Sequence, residues 1–600
     1  MKEASRCSYT LNPETWESEH NVECQVDPED DAEILEEVDG QTVWRCPHEA
    51  VEEHDGEDRC IFHLPKEKRP NGINPVEEFI AIVQGEREVV EGKGRRPARF
   101  IDATFENLNL DRERIGDGAA IDLRHARIGE MKWDIREVDA QLDAAGAVVE
   151  GDCDVAAVSF RDRVRFREMR FRSEVNFSDV TFEDFADFPD VTFEDFVNFP
   201  DATFEDFAGF LDATFEDFAG FPGATFEDFA DFLDATFEDS AGFSDATFED
   251  FASFSDATFE DFANFSDATF EDFAGFPGAT FEDSTNFPDA TFEDSANFEG
   301  LELNGAIFRD AVFSNGNLKN AELEGADLRD ADLTGADLRD ADLTGANLEN
   351  AVLTRTQLYG ADFRDARLHG AIFGDAHISH ATTFVERGNR WVSHRRVVGY
   401  LNRLPKVDFA EPQTVIYDPR TEPHCEADED EISNVTRAAT VYQKLESLAE
   451  DNAASSLAST CFTWRKDMER KRLSSGEGEG NSRQPVSWAL SWLSNLVTRY
   501  GESPYRVLAT VALIVLSCGG LYYWFDLIQP DLTAQAPTES LPPVSLFDAM
   551  YFSTMTFTTL GYGDFRPASQ IGQILAISET SAGVVLLALL VFVFGRRATR

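Results

Sequence analysis

Phenylalanine recurs along the middle of this 600-residue chain at spacings that alternate between 6 and 5. The tetrad Thr-Phe-Glu-Asp appears eleven times from Thr181 to Thr291, each 11 residues after the last, with a second Phe six residues after the first, as in Phe182 and Phe188. The alternation already runs through Phe160, Phe166, Phe171 and Phe177, and a small or β-branched residue, usually Ala, stands two before most of these Phe. From Leu303 the spacing tightens to 5 and Leu takes over, as in Leu318, Leu323 and Leu328, through sixteen units that end near Ile378. A fixed period sustained this long predicts a stacked repeat architecture. An 11-residue period also suits a right-handed helical coiled coil. Pro and Gly at many corners, as in Phe221-Pro222-Gly223, and the scarcity of helix formers argue against that reading.

The unit Ala326-Asp327-Leu328 and its neighbours resemble the pentapeptide-repeat family, A-(D/N)-L-x-x, and the resemblance covers roughly half the chain. It implies a right-handed quadrilateral β-helix with four five-residue sides per coil. The large residue and the small one two before it point inward, and the polar pair turns the corner. A narrow square prism has room for one large and one small side chain per face. Two 11-residue repeats then make a 22-residue coil, with the added residue (Phe185, Phe196, Ser240) bulging at alternate corners. Residues 98–155 read as worn repeats, with Phe100, Phe105, Leu123 and Ile128 near register, so the solenoid is expected over 98–385. Its role is expected to be that of a docking, assembly or regulatory arm with a cytoplasmic protein partner. Some acidic pentapeptide rods mimic DNA, but here the acid is spread along the whole chain and does not single out the rod.

The pattern then turns helical. In the connector, 386–484, Val441, Leu445 and Leu448 share one helical face, and Leu457, Cys461, Trp464 and Met468 continue it after a turn near Asn452. This hairpin resembles the tetratricopeptide-like helical pair that precedes the pore in pentapeptide-repeat channels; a plain two-helix spacer fits as well. Within 485–505, Trp488, Trp492, Leu496 and Tyr500 recur every four residues, which predicts an amphipathic helix at a membrane surface. Residues 507–525 are apolar and uncharged for 19 positions, enough to cross a hydrocarbon core of about 30 Å. Residues 546–557 are too short to span, and 571–594 cross back. Arg506, Arg596, Arg597 and Arg600 flank the spans on one side against Arg566 on the other, so both chain ends are expected in the cytoplasm, with the protein in the cell membrane. No Arg-rich further span suggests a voltage sensor.

Charge changes the picture. The formal net charge is −62, which repels nucleic acid and anionic lipid. A hydrophobic content of 42% excludes a disordered acidic tail. The composition resembles that of proteins from salt-loving microbes, in which multimolar KCl screens self-repulsion. The first ten residues are polar and do not read as a signal peptide.

Candidate chemistry sits at both ends. Thr559, Leu560, Gly561, Tyr562, Gly563 and Asp564 lie between the short segment and the second span. They resemble the potassium-channel selectivity filter, TVGYG in its usual form, with Leu560 where Val is commoner. The resemblance implies a homotetramer. Carbonyls of Thr559, Leu560, Gly561 and Tyr562, with the Thr559 hydroxyl, replace the hydration shell of K+, and Asp564 draws cations to the mouth. Gly583, twenty residues beyond Gly563, stands where the family has its hinge glycine; close helix packing explains a small residue there equally. Glu579 is an ionisable group in an apolar helix, expected either to concentrate cations in the cavity, to hydrogen-bond behind the filter, or to be a paired structural carboxylate. The chain runs six residues past Phe594, so gating input from the rod is expected through 485–505 and the first span. A non-selective cation pore, or a membrane-anchored scaffold with a silent pore, are the alternatives.

At the N-terminus, the block 1–97 carries Cys7, Cys24, Cys46, His48, Cys60 and His63, with 65–97 reading as a helix and linker. Thiolates and imidazoles suit a structural zinc, although the spacing matches no standard finger and buried Cys with surface His is the plainer reading. No nearby residue offers a general base for a catalytic zinc. The Asp and Glu of the rod recur at identical corners, as a solvated face does, and no enzymatic constellation stands out.

Overall fold

The computed structural model describes residues 5–87, 98–379, 381–384, 433–475, 484–531 and 543–599. The chain divides into two compact units, Met1–Val415 and Ile416–Arg600. The first part of the expected connector, 386–432, lies outside the described residues.

The first unit is a four-sided β-solenoid. Its strands form four parallel sheets of 9, 9, 10 and 9 strands. Phe182 pairs with Phe204, 22 residues on. The interval shortens to 21 where Thr291 meets Val312 and to 20 where Asn317 meets Asp337. The coil therefore shortens where the sequence period does. At every tight corner of the long coils one residue is left-handed: Asp190 at φ 56°, Asp201 at 53°, Asp212 at 53° and Gly223 at 66°. Asp, Asn and Gly tolerate that conformation, which explains the recurrent acid before each Ala or Val. The added residue bulges at the alternate corners, as the sequence predicts. There the Phe185 N–H donates to Asp184 Oδ1 at 2.7 Å and the Phe185 ring stays 37% exposed. The Asp of Thr-Phe-Glu-Asp thus satisfies the amide that the bulge leaves without a ladder partner.

Inside, each Phe stacks on its counterpart one coil away. Phe210 and Phe232 are 4.9 Å apart at 2°, and Phe232 and Phe254 4.9 Å apart at 1°. The spacing is set by the strand-to-strand repeat of about 4.8 Å. Phe232 also meets Phe243 edge-on at 5.5 Å and 87°. Each ring therefore stacks along the axis and packs edge-to-face across it.

The N-terminal block closes the open end of this stack. It contains β1 (Thr10–Leu11), α1 (Pro13–His20), β2 (Leu35–Val38), β3 (Gln41–Arg45) and α2 (Pro75–Val83). The β1–β3 strands form one sheet in the order β1-β3-β2. Phe79 of α2 packs on Phe100 at 4.6 Å, and the Thr104 N–H donates to the Phe62 carbonyl at 3.0 Å. Arg124, on the first coil, pairs with Asp122 at 2.9 Å and with Asp31 of the block at 2.7 Å. The helix expected within 65–97 is α2, and residues 88–97 of the expected linker lie outside the described residues. The apolar face of α2 (Val76, Phe79, Ile80, Val83) is buried against the first rings, as a solenoid edge requires.

The second unit is helical. Helices α3 (Asn434–Asp451) and α4 (Ser455–Ser475) form the expected hairpin, with Tyr442 and Trp464 5.4 Å apart. Then follow α5 (Pro485–Thr498), α6 (Pro504–Trp524), α7 (Leu546–Phe557) and α8 (Gln570–Thr599). Two stretches, Pro504–Trp524 and Gln570–Arg596, are long and apolar enough to cross a membrane. One expectation fails: Tyr500 does not extend the aromatic face of α5. The helix ends at Thr498, Arg499 and Tyr500 are left-handed, and the Tyr500 hydroxyl donates to Asp467 of α4 at 2.8 Å. The half-buried carboxylate of Asp467 takes the Tyr500 hydroxyl in place of helical continuation.

Candidate pore site

Helix α7 starts on a capping box in which Ser545 Oγ accepts from the Asp548 N–H at 3.2 Å and Asp548 accepts in return from the Ser545 N–H at 2.9 Å. The helix ends at Phe557, and the glycine-tyrosine stretch follows at once. Thr559, Gly561 and Gly563 have φ of 59°, 41° and 83°, while Leu560, Tyr562 and Asp564 do not. Alternation of this kind turns successive carbonyls to one side, and only glycine adopts it without strain. Thr559, β-branched and left-handed, is the strained member. Asp564 is held by the Tyr551 hydroxyl of α7 at 3.0 Å. The chain then returns through a short antiparallel pair, Ile528–Pro530 with Phe565–Pro567.

Behind the stretch, α6, α7 and α8 enclose Glu579, which is 2% exposed. Its carboxylate accepts from Tyr522 of α6 at 2.9 Å and, by a short bond, from Ser553 of α7. Burial of a carboxylate demands such donors. One turn on, Gly583 lies against the end of α7: a Cβ there would sit 2.1 Å from the Phe557 carbonyl oxygen. Helix α8 is continuous through Gly583. In the same way a Cβ on Gly519 of α6 would meet Met550 Sδ at 2.5 Å. The two glycines let three helices approach at backbone distance.

The hairpin reaches the far end of α8. Arg596 pairs with Glu502 at 3.2 Å, and its guanidinium lies over the Phe462 ring of α4 at 4.5 Å. Ser459 of α4 donates to Glu502 at 2.7 Å. A contact with the end of α8 thus stands beside the expected route through 485–505 and the first span. Helix α4 touches both the elbow before α6 and the end of α8, a long-range contact that no local pattern announces.

In the first unit, four of the six expected N-terminal ligands converge: Cys7, Cys46, Cys60 and His63. Cys24 lies apart, half-buried, with its thiol 3.7 Å from the Val26 carbonyl. His48 also lies apart, with Nε2 at 2.7 Å from the Arg99 carbonyl. Hydrogen bonds from the Cys46 and Cys60 thiols hold the Cys7 thiol far below the ordinary cysteine range, while burial pushes Cys46 well above it.

Residues 510–600 match the family model described as ion channel. Residues 294–330 and 331–370 match one model of pentapeptide repeats, and 221–269 and 232–280 a second. The chain is 34% identical over 87 residues to a voltage-gated potassium channel of Aeropyrum pernix, a match covering 14% of this chain and 26% of that one. The chain thus spans about a quarter of that relative. Among solved structures, a pentapeptide repeat protein of the Arabidopsis thaliana thylakoid lumen is 34% identical over 16% of this chain and 63% of its own, with a TM-score of 0.15. One from the cyanobacterium Cyanothece 51142 is 32% identical over 16% and 63%, with a TM-score of 0.12. The chain therefore joins a pentapeptide-repeat solenoid to a domain of the ion channel family.

Proposed function

We propose that four copies of this chain form a potassium-selective pore in the cell membrane, with both chain ends and the solenoid in the cytoplasm. The observation that carries this reading is the stretch Thr559–Asp564, set after the short helix α7 and between two membrane-length helices, with backbone φ alternating in sign. Exposure in the single chain favours assembly: Leu560 is 61% and Tyr562 68% exposed, and apolar Leu513, Ile574, Ile577 and Val591 face outward. Neighbouring copies and lipid would cover them. The carbonyls of Thr559, Leu560, Gly561 and Tyr562, with the Thr559 hydroxyl, would coordinate dehydrated K+, and Asp564 would attract cations to the mouth. Glu579 acts behind the filter, since its carboxylate is turned into the helix packing. Gly583 serves as a hinge only when the contact with Phe557 opens. The solenoid is a docking or regulatory arm whose signal reaches the pore through α4.

The test is the reversal potential of the purified full chain in planar bilayers, with K+ on one side and Na+ on the other. A value near the potassium equilibrium potential is expected. A value near zero with clear currents would instead make the pore non-selective and direct attention to Leu560. Verified incorporation without current, together with capture of a cytoplasmic protein by the solenoid, would favour a membrane-anchored scaffold.

A further inference from the structure

Three thiols and one imidazole, brought from three separate segments, meet in the lid of the solenoid. Cys7 precedes β1, Cys46 follows β3, and Cys60 and His63 begin the segment that runs onto the first coil. The three cysteines are at most 1% exposed. Cys46 Sγ and Cys60 Sγ are 3.6 Å apart, and His63 Nδ1 lies 3.1 Å from Cys60 Sγ and 4.0 Å from Cys7 Sγ. All four ligand atoms lie within 4.8 Å of one another. A tetrahedral zinc with Zn–S of about 2.3 Å and Zn–N of about 2.0 Å requires edges of about 3.8 Å between sulfurs and about 3.6 Å from sulfur to nitrogen. The two sulfur–nitrogen separations, 3.1 and 4.0 Å, bracket their edge, and the Cys46–Cys60 separation of 3.6 Å lies close to its own.

The surroundings suit a metal. His63 Nε2 lies 3.0 Å from the Ile101 carbonyl, which takes the Nε2 proton and leaves the Nδ1 lone pair facing the thiols. The ring is held flat against Tyr9 at 4.1 Å and 9°, and the Tyr9 hydroxyl bonds to Asp102 of the first coil. The Cys60 N–H points to Cys7 Sγ at 3.3 Å, as amides do toward metal-bound thiolates. Packing alone accounts for a buried cysteine; it does not account for three, with an oriented imidazole, around one point.

We propose that Cys7, Cys46, Cys60 and His63 bind one structural zinc that pins the N-terminal lid onto the first coil. Cys24 and His48 take no part. The ion ties β1, β3 and the segment carrying His63 together, and through Ile101 it ties them to the solenoid edge. With all four positions filled by protein, the site has no place for a reacting water.

The full chain, expressed with zinc in the medium and purified in detergent under reducing conditions, is expected to carry one zinc per chain by elemental mass spectrometry. The zinc X-ray absorption spectrum is expected to show three sulfurs at about 2.3 Å and one nitrogen at about 2.0 Å. Cys60→Ser is expected to lower zinc content at least tenfold, and Cys24→Ser to leave it unchanged. Should Cys60→Ser not fold, the absorption spectrum of the wild-type chain decides alone. Folded wild-type protein without zinc, a shell of oxygen and nitrogen only, equal losses in Cys24→Ser and Cys60→Ser, or a Cys46–Cys60 disulfide in the reduced preparation would each overturn the proposal.

Discussion

The Tyr522 hydroxyl of α6 donates to the Glu579 carboxylate of α8 at 2.9 Å, and this bond joins the two membrane-length helices beside α7. Glu579→Ala orphans the hydroxyl of Tyr522, at a cost of about 1–3 kcal/mol, while the Ser553 hydroxyl keeps the Val515 carbonyl at 2.9 Å. The pore domain is expected to unfold at lower detergent or temperature, whereas Glu579→Gln, which still accepts, keeps most of the stability. Thermal unfolding read by tryptophan fluorescence in detergent checks the order. Equal stability for Glu579→Ala and wild type would contradict the network.

Gly583→Ala places a methyl carbon 2.1 Å from the Phe557 carbonyl oxygen, so α8 must move away from the end of α7. Overpacking of this kind costs about 1–3 kcal/mol. The variant is expected to reduce stability and to disturb the Thr559–Asp564 stretch that follows Phe557, and bilayer currents with altered K+ over Na+ preference would report it. Unchanged stability with changed opening alone would return Gly583 to a pure hinge role.

Phe462 of α4 and Arg596 of α8 are in contact, and Glu502 pairs with Arg596 while accepting from Ser459 of α4. Phe462→Ala and Arg596→Gln are each expected to shift open probability in the same direction. The double variant is expected to shift it no further, because contacting residues couple by about 0.5–3 kcal/mol. Additive shifts would show that α4 does not signal through Arg596.

Glu205 sits between Glu183 and Glu227 one coil away on either side; slight desolvation and then these two like charges raise its pKa. Such columns repeat along the Thr-Phe-Glu-Asp face of a chain with a net charge of −62. Raising KCl from about 0.1 M to about 1 M cuts the screening length from about 10 Å to about 3 Å. The denaturation midpoint of the first unit is expected to rise with KCl, and circular dichroism checks it. A midpoint that falls with salt would mean that the Arg–Asp pairs outweigh the columns.

His125 accepts from the Gln25 N–H at 2.8 Å and packs on Trp16 at 4.5 Å. Burial, with Arg124 beside it, depresses its pKa to about 3. The neutral ring therefore contributes stability that is full above the unfolded pKa of about 6.5 and is lost as pH falls below it. By pH 5 the lid is expected to lose about 2 kcal/mol relative to a His125→Gln variant, at about 1.4 kcal/mol per pH unit. Amide hydrogen exchange over residues 10–30 at pH 7 and pH 5 measures the difference.

The sequence alone determined the solenoid and the two membrane-length helices. In the solenoid every inward Phe, every bulged corner and the change from 22 to 20 residues per coil follow from local spacing, because each coil meets only its neighbours. The two helices follow from length and apolarity, and the Thr559–Asp564 stretch from composition. Tertiary structure alone decided the rest. It turned α2 into the lid of the first coil, separated Cys24 and His48 from the four converging ligands, and drew Tyr500 off its helical face to Asp467. It also brought Phe462 to Arg596 and Glu579 to Ser553. These pairings join residues far apart in the chain. Each is decided by which buried polar group finds a partner and which apolar face finds cover, and neither leaves a periodic trace in the sequence.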